Sequence, residues 1–163
     1  MIFLTVGHQT PFDRLVMAMD KWAAANPKIT VEGQIGDGEY QPEHFPFKRW
    51  LDATQFEQAL SNADYIVAHA GTGTIINALE KNKPVLVLPR LAALGETRND
   101  HQVGTSRYFA DAGLIQSIEN EEKLAEGLTR IADWRPSGSI SHSASQMLLG
   151  RLGSFLTSIE ESR

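Results

Sequence analysis

Two short runs, Tyr65-Ile66-Val67-Ala68 and Val85-Leu86-Val87-Leu88, constrain this chain most, because neither shows polar alternation. A strand with one wet face alternates, so uninterrupted apolar runs belong to strands covered on both sides. Between them Ile75, Ile76, Ala78 and Leu79 recur at helical spacing, and Asn82 and Pro84 close that helix. The chain opens with a similar unit: Ile2 to Val6 stops at Gly7, and Phe12, Leu15, Val16, Met19 and Trp22 then follow a helical period. Repetition of such units predicts an α/β fold, a Rossmann-like doubly wound, mainly parallel sheet with helices on both faces.

The remaining segments fit that plan. Ile29-Thr30-Val31 begins a second strand after Pro27 and leads into a glycine-rich loop from Gly33 to Gly38. Phe45 to Trp50 reads as a short edge strand, since Pro46 would leave a gap in a central ladder. Phe56, Ala59 and Leu60 mark a brief helix ending near Asn62. A polar loop runs from Pro89 through Asp100; then come a helix from His101 to Ala112, Gly113 as its stop, a short strand at Leu114-Ile115, and a helix from Glu121 to Ala132. Trp134 to Gly138 reads as a linker, and Leu148, Leu152, Phe155 and Ile159 place a closing helix within residues 140–160. A length of 163 residues suits one domain spanning 1–163.

Composition removes several classes. Hydrophobic residues make up 42% and charged residues 21%, the balance of an ordinary globular protein. A net charge of -5 without a basic run argues against a nucleic-acid partner. Cysteine is absent, which removes disulfides, thiol catalysis and cysteine-ligated zinc, and makes the cytoplasm the default location. The segment from Met1 to Gly7 lacks the flank and apolar length of a signal peptide, and no window approaches the ~20 apolar residues of a membrane span.

Ligands of doubly wound sheets bind beyond the carboxyl ends of the strands, which directs attention to the loops after Val6, Ala68 and Leu88. The second of these, His69-Ala70-Gly71-Thr72-Gly73-Thr74, joins a buried strand to a helix. Its glycines permit close approach of a ligand, and the free N–H groups and dipole of the helix start favour an anion such as a pyrophosphate. The competing reading is a strand-to-helix turn with a threonine N-cap. Two polar loops lie at the same edge, one from Gly7 and His8 to Asp13, the other from Pro89-Arg90 to Asp100-His101-Gln102. Loops beyond ~12 residues in compact domains tend to carry function.

Taken together, Thr5-Val6-Gly7 with Pro11-Phe12-Asp13-Arg14-Leu15, Gln34-Ile35-Gly36 with Tyr40 and Pro42, His69 to Ile75, Lys83-Pro84 with Pro89-Arg90, and Asp100-His101-Gln102 resemble the C-terminal, donor-binding domain of glycosyltransferase family 28. The likeness spans Met1 to Leu128 and is strongest to short stand-alone members, similar to the catalytic subunit of the dolichol-linked N-acetylglucosaminyltransferase and to small bacterial exopolysaccharide transferase subunits. It implies the C-terminal half of a GT-B architecture and a UDP-sugar donor. The acceptor would be lipid-linked, and a membrane-associated partner subunit would recruit the chain to the inner membrane face.

By the same resemblance, Gly7, His8, His69, Gly71, Thr72, Gly73 and Thr74 would surround the pyrophosphate, while Asn77, Arg90, Asp100, His101 and Gln102 would meet the sugar or ribose. No Asp-x-Asp pair is present, so no metal or other cofactor is expected, and the N–H groups of Gly71 to Thr74 would stabilise the leaving UDP. His101 either bonds the ligand or caps its helix, and His69 either contacts phosphate or is satisfied by backbone groups. Glu80, Glu96 and Asp100 are candidate carboxylates, but the general base is expected on the partner. Two positions depart from the family pattern: Asn77 stands where relatives carry a ribose-binding glutamate, and His8 where a small hydroxyl residue is usual. The alternatives are a degenerate donor domain that serves only as an interaction subunit, and another nucleotide-sugar enzyme such as an epimerase. An isolated domain could also pair with itself.

Overall fold

The structure is a computed structural model and describes residues 1–137; the closing helix expected within 140–160 lies outside them. Six strands form one sheet: β1 (Ile2–Thr5), β2 (Val31–Gln34), β3 (Phe47–Lys48), β4 (Tyr65–His69), β5 (Val85–Leu88) and β6 (Gln116–Ser117). All are parallel, in the order β3-β2-β1-β4-β5-β6. Among the described residues four α-helices connect them, α1 (Asp13–Ala25), α2 (Ala53–Asn62), α3 (Thr72–Glu80) and α4 (His101–Asp111), and a fifth, α5 (Leu124–Asp133), follows β6. The doubly wound α/β fold read from the apolar runs is the fold observed.

Side chains of successive strand residues point to opposite faces, and both faces are covered. Leu4, Val67, Leu86 and Leu88 pack with Leu15, Val16 and Met19 of α1 and Leu128 and Ile131 of α5. Phe3, Ile66, Val85 and Val87 pack on the other side with Leu60 of α2, Ile75 and Leu79 of α3 and Phe109 of α4. Val85 to Leu88 are all buried completely, which is why β5 carries no polar residue. Each large side chain so buried contributes about 1.5–3 kcal/mol of transfer free energy.

Three details differ from the sequence reading. First, β2 begins at Val31 and includes Gly33 and Gln34, which composition assigned to a loop. Gly33 is there to admit a neighbour: a Cβ on it would stand 2.7 Å from the Phe45 ring. The turn comes at Gly36, with φ 63°. Second, the last strand is Gln116–Ser117, because Ile115 turns into the core while the next two residues pair with Leu86 and Val87. Third, α3 is capped by the backbone of Gly71, and no threonine hydroxyl bonds the first turn. The end of α3 is as expected: Asn82 takes φ 54°, and its N–H bonds the Leu79 carbonyl at 2.9 Å. One start signal had gone unread, the capping box of α2, in which the Asp52 side chain accepts from Gln55 N and the Gln55 side chain accepts from Asp52 N.

Candidate functional site

The order of the sheet reverses direction between β1 and β4, the position at which doubly wound folds leave a crevice. A cleft of about 490 Å³ lies at this edge, lined by Val6, His8, Gln9 and Thr10 after β1, His69 from β4, and Arg90, Thr97, Arg98, Asn99, His101 and Gln102 after β5. That volume is in the range of small-ligand sites, roughly 300–1,000 Å³. Among the described residues the lining holds three histidines and two arginines and no carboxylate.

The floor is built by buried hydrogen bonds. Thr5 Oγ1 donates to Gln34 Oε1 at 2.6 Å, and Gln34 Nε2 donates to the carbonyls of Gly7 (3.1 Å) and Arg49 (3.0 Å), tying together the loops after β1, β2 and β3. Gln102 Oε1 accepts from Ala70 N at 3.1 Å and Arg90 N at 3.2 Å, which locks the ends of β4 and β5 to the start of α4. Gln102 is 6% exposed, so leaving those two N–H groups unpaired would carry the desolvation cost of each.

His69 fills the gap between the first two loops. A Cβ on Gly7 would come within 2.6 Å of its Cε1, and a Cβ on Gly71 within 2.2 Å of its Nε2, so the ring is clasped between these glycines. Gly7 also takes φ 76°, a left-handed conformation that favours glycine. Burial, and next the nearby charge of Arg90, push the imidazole down to about 4, which leaves it neutral at pH 7. Among the described residues its Nδ1 is buried without a partner at hydrogen-bond geometry, and the Thr5 backbone beside it only partly offsets the downward shift.

Beyond His69, the first-turn N–H groups of α3 have no side-chain cap among the described residues, and Gly73 is exposed, with none of them where a Cβ would project. A helix start left uncapped at the carboxyl edge of a sheet presents orphan donors and the positive end of the dipole to whatever binds there.

On the opposite wall Asn99 Oδ1 accepts from His101 N at 3.3 Å and contacts His101 Nδ1, so Asn99 rather than His101 serves the start of α4. Asp100 Oδ1 accepts from Ala92 N at 2.9 Å, and Glu96 takes both Arg14 Nε (2.7 Å) and Nη2 (2.8 Å) while accepting from Leu91 N at 2.9 Å. These two carboxylates hold the loop after β5. Arg90 is buried, and its guanidinium donates to oxygens of the chain itself; burial pushes it down to about 10, still protonated at neutral pH. His8 is exposed and stacks on Trp50, ring centroids 5.3 Å apart.

Of the residues singled out in the sequence, the cleft brings together His8, His69, Arg90, His101 and Gln102, with Gly7 and Gly71 against the His69 ring. Thr72, Gly73, Thr74, Asn77 and Asp100 are not in its lining, and Asn77 is exposed on α3. Gln9, Thr10, Thr97, Arg98 and Asn99 line the cleft without having been named individually, although both loops had been flagged. Among the described residues no group of three or more metal-ligating side chains converges, and no helix is long and apolar enough to cross a membrane.

Fold and crevice together are those of a Rossmann-like, doubly wound α/β domain. The chain belongs to the glycosyltransferase family 28 C-terminal domain family, whose model matches residues 1–148. The human UDP-N-acetylglucosamine transferase subunit ALG13 is 30% identical over 125 residues, covering 70% of this chain and 10% of that protein. ALG13 of Eremothecium gossypii is 35% identical over 71 residues, 43% of this chain and 33% of that one. The chain thus matches only a tenth to a third of the length of these relatives.

Among solved structures, the NMR structure of ALG13 superposes with a TM-score of 0.64 at 18% identity, covering 91% of this chain and 94% of that one. The glycotransferase of kitacinnamycin superposes with a TM-score of 0.62 at 20% identity, covering 91% of this chain and 37% of that one. The shared fold is the one found in GT-B glycosyltransferases.

Proposed function

We propose that this chain is the UDP-sugar-binding subunit of an inverting glycosyltransferase, moving a hexose or N-acetylhexosamine to a lipid-linked acceptor in polysaccharide or glycolipid synthesis. The observation that carries the reading is the cleft at the β1/β4 crevice, lined by histidines and arginines without a carboxylate and bordered by the uncapped start of α3. A nucleoside diphosphate matches that chemistry, with its pyrophosphate toward the α3 N–H groups and the Arg98 side of the cleft.

Transfer breaks the bond from the sugar C1 to the β-phosphate oxygen, and negative charge grows on the departing UDP. Donors already aimed at that charge lower the barrier without reorganising. Gly71 to Thr74 would supply N–H groups, and Gln102, its oxygen fixed by Ala70 and Arg90, is held in the cleft wall with its amide N–H₂ available to the donor. His69, neutral at pH 7, would act as a hydrogen-bonding group rather than a cation. Asn77, exposed on α3, would give the ribose a neutral acceptor in place of a carboxylate, and Asp100 and His101 would stand at the sugar end.

In this reading the general base and the acceptor site belong to a second, membrane-associated subunit; the subunit names of the relatives support an enzyme of more than one chain. The chain would then be cytoplasmic and recruited to the inner membrane face by that subunit. Calorimetric titration with UDP, UDP-glucose, UDP-N-acetylglucosamine and UDP-glucuronate tests the proposal: binding of UDP with little turnover by the chain alone is expected, and no binding at millimolar ligand would sink it.

A further inference from the structure

The largest fully buried side chain of the described residues is a cation, Arg90, at 2% exposure. Its Nη2 donates to the Val6 carbonyl at 2.6 Å, and its Nη1 donates to the Pro11 carbonyl at 2.6 Å, to Thr10 Oγ1, and to the Glu96 carbonyl at 3.4 Å. The guanidinium lies over the Phe12 ring at 4.7 Å. Three of the four acceptors belong to the loop between β1 and α1, which is 79 to 84 residues away in sequence. Thr10 Oγ1 also donates to the Glu96 carbonyl at 3.1 Å, so the same cluster joins the tips of the two loops that form opposite walls of the cleft.

We propose that Arg90 is a positioning residue of the donor site: it clamps the β1 loop to the loop after β5, so that His8, Gln9 and Thr10 stand in place before a ligand arrives. This rests on the donor-binding reading of the cleft. Both terminal nitrogens of its guanidinium already donate to protein oxygens, so Arg90 acts through loop geometry rather than as a charge on the ligand. His8, Gln9 and Thr10 are all exposed, and the stacking of His8 on Trp50 and the bond from Thr10 Oγ1 to the Glu96 carbonyl are surface contacts, so the buried Arg90 bonds are the ones that fix the loop from beneath. A planar fork reaches acceptors on both its nitrogens at once; a lysine ammonium at the end of a flexible stem does not.

The test compares the full chain with Arg90→Lys, Arg90→Met and Thr10→Val. Loop order is read without ligand as the ¹⁵N heteronuclear NOE of His8 and Gln9, and affinity as the UDP Kd from calorimetry. Both Arg90 variants should lose loop order and bind UDP about tenfold more weakly, because apparent affinity scales with the fraction of molecules whose site is already formed. Thr10→Val, which removes one acceptor, should fall between them and the wild type.

Lysine restoring wild-type affinity where methionine does not would show that charge is what matters and overturn the proposal; so would a folded Arg90→Met with an ordered loop and unchanged Kd. If neither Arg90 variant folds, Thr10→Val decides alone: a looser loop and weaker binding support the clamp, and no change in either overturns it. A wild-type chain that fails to bind UDP sinks the donor reading instead, and the NOE values still decide whether Arg90 holds the loop.

Discussion

The clasp of His69 between two glycines can be tested by adding one carbon. In Gly71→Ala the new Cβ would lie 2.2 Å from His69 Nε2, more than 1 Å inside ordinary van der Waals contact, while the φ of -79° at this position suits alanine. The penalty is therefore steric. The ring is half-buried and flanked by Gly7 on its other side, so its retreat is into the cleft and away from its place in the wall, and overpacking of this kind costs about 1–3 kcal/mol. For a domain of this size that lowers the melting temperature by roughly 2–4 °C per kcal/mol. Urea unfolding of wild type, Gly71→Ala, His69→Ala and the double variant measures it as a cycle. Removing the ring should relieve the clash, so the double variant should be more stable than the sum of the single changes predicts, by about 1–2 kcal/mol. Gly7→Ala behaves differently: its clash with the ring is also relieved by His69→Ala, but about 1 kcal/mol should persist because φ is 76°. Additivity within about 0.5 kcal/mol for the Gly71 pair would show that the ring and the glycine do not touch as described.

Three further outcomes follow from the same geometry. His69, with its pKa pushed down to about 4 from 6.5 by burial, binds a proton in the unfolded chain before it does in the folded one, so its contribution to stability is full above pH 6.5 and is lost as pH falls toward 4; unfolding midpoints measured between pH 7 and 4 should decline, and less steeply in His69→Ala. The Asp20 carboxyl is buried, which by itself raises its pKa, but bonds from Tyr40 Oη (2.7 Å), His44 N (2.8 Å) and Glu43 N hold it below the usual carboxylate range. Its contribution is present above the ordinary Asp value and disappears as pH falls through the lowered one; Asp20→Asn should cost about 1–3 kcal/mol at pH 7 and flatten the acid limb of the denaturation curve. Gly73→Trp meets open space, so its melting temperature should stay within about 2 °C of wild type, yet its side chain would stand over the start of α3, and calorimetry should show UDP binding at least about tenfold weaker.

How much of this was legible in the sequence varies with the kind of interaction. The apolar runs at β4 and β5 and the helical spacing of α1 and α3 announce themselves because burial on both faces leaves no polar position. Gly33 misled because composition does not tell a glycine that turns the chain from one that admits an aromatic ring, here Phe45. The strand after α4 slipped by two residues since Gln116 and Ser117 are polar members of an edge strand, held by their ladder to β5.

At the cleft, the loops were found because strand ends locate them, and Gln102 and His69 were singled out by resemblance. What those residues do was not legible. Gln102 spends its oxygen on the N–H groups of Ala70 and Arg90, and Arg90 reaches back to Val6, Thr10 and Pro11; both facts depend on long-range closure that no local pattern encodes. Asn99 is not legible as the partner of His101, because it stands one residue before the N-cap position, which Asp100 occupies, and Asp100 itself turns to Ala92 N.

The most direct measurement is a ¹H–¹⁵N titration of the chain with UDP. Donor binding at the β1/β4 crevice predicts saturable shifts concentrated on the amides of Gly71 to Thr74, the His8 and Gln9 backbone, and the Gln102 side-chain amide. Absence of saturable shifts, or shifts centred on the groove that Glu32 of β2, Lys48 of β3 and Gln58 of α2 line, would contradict it.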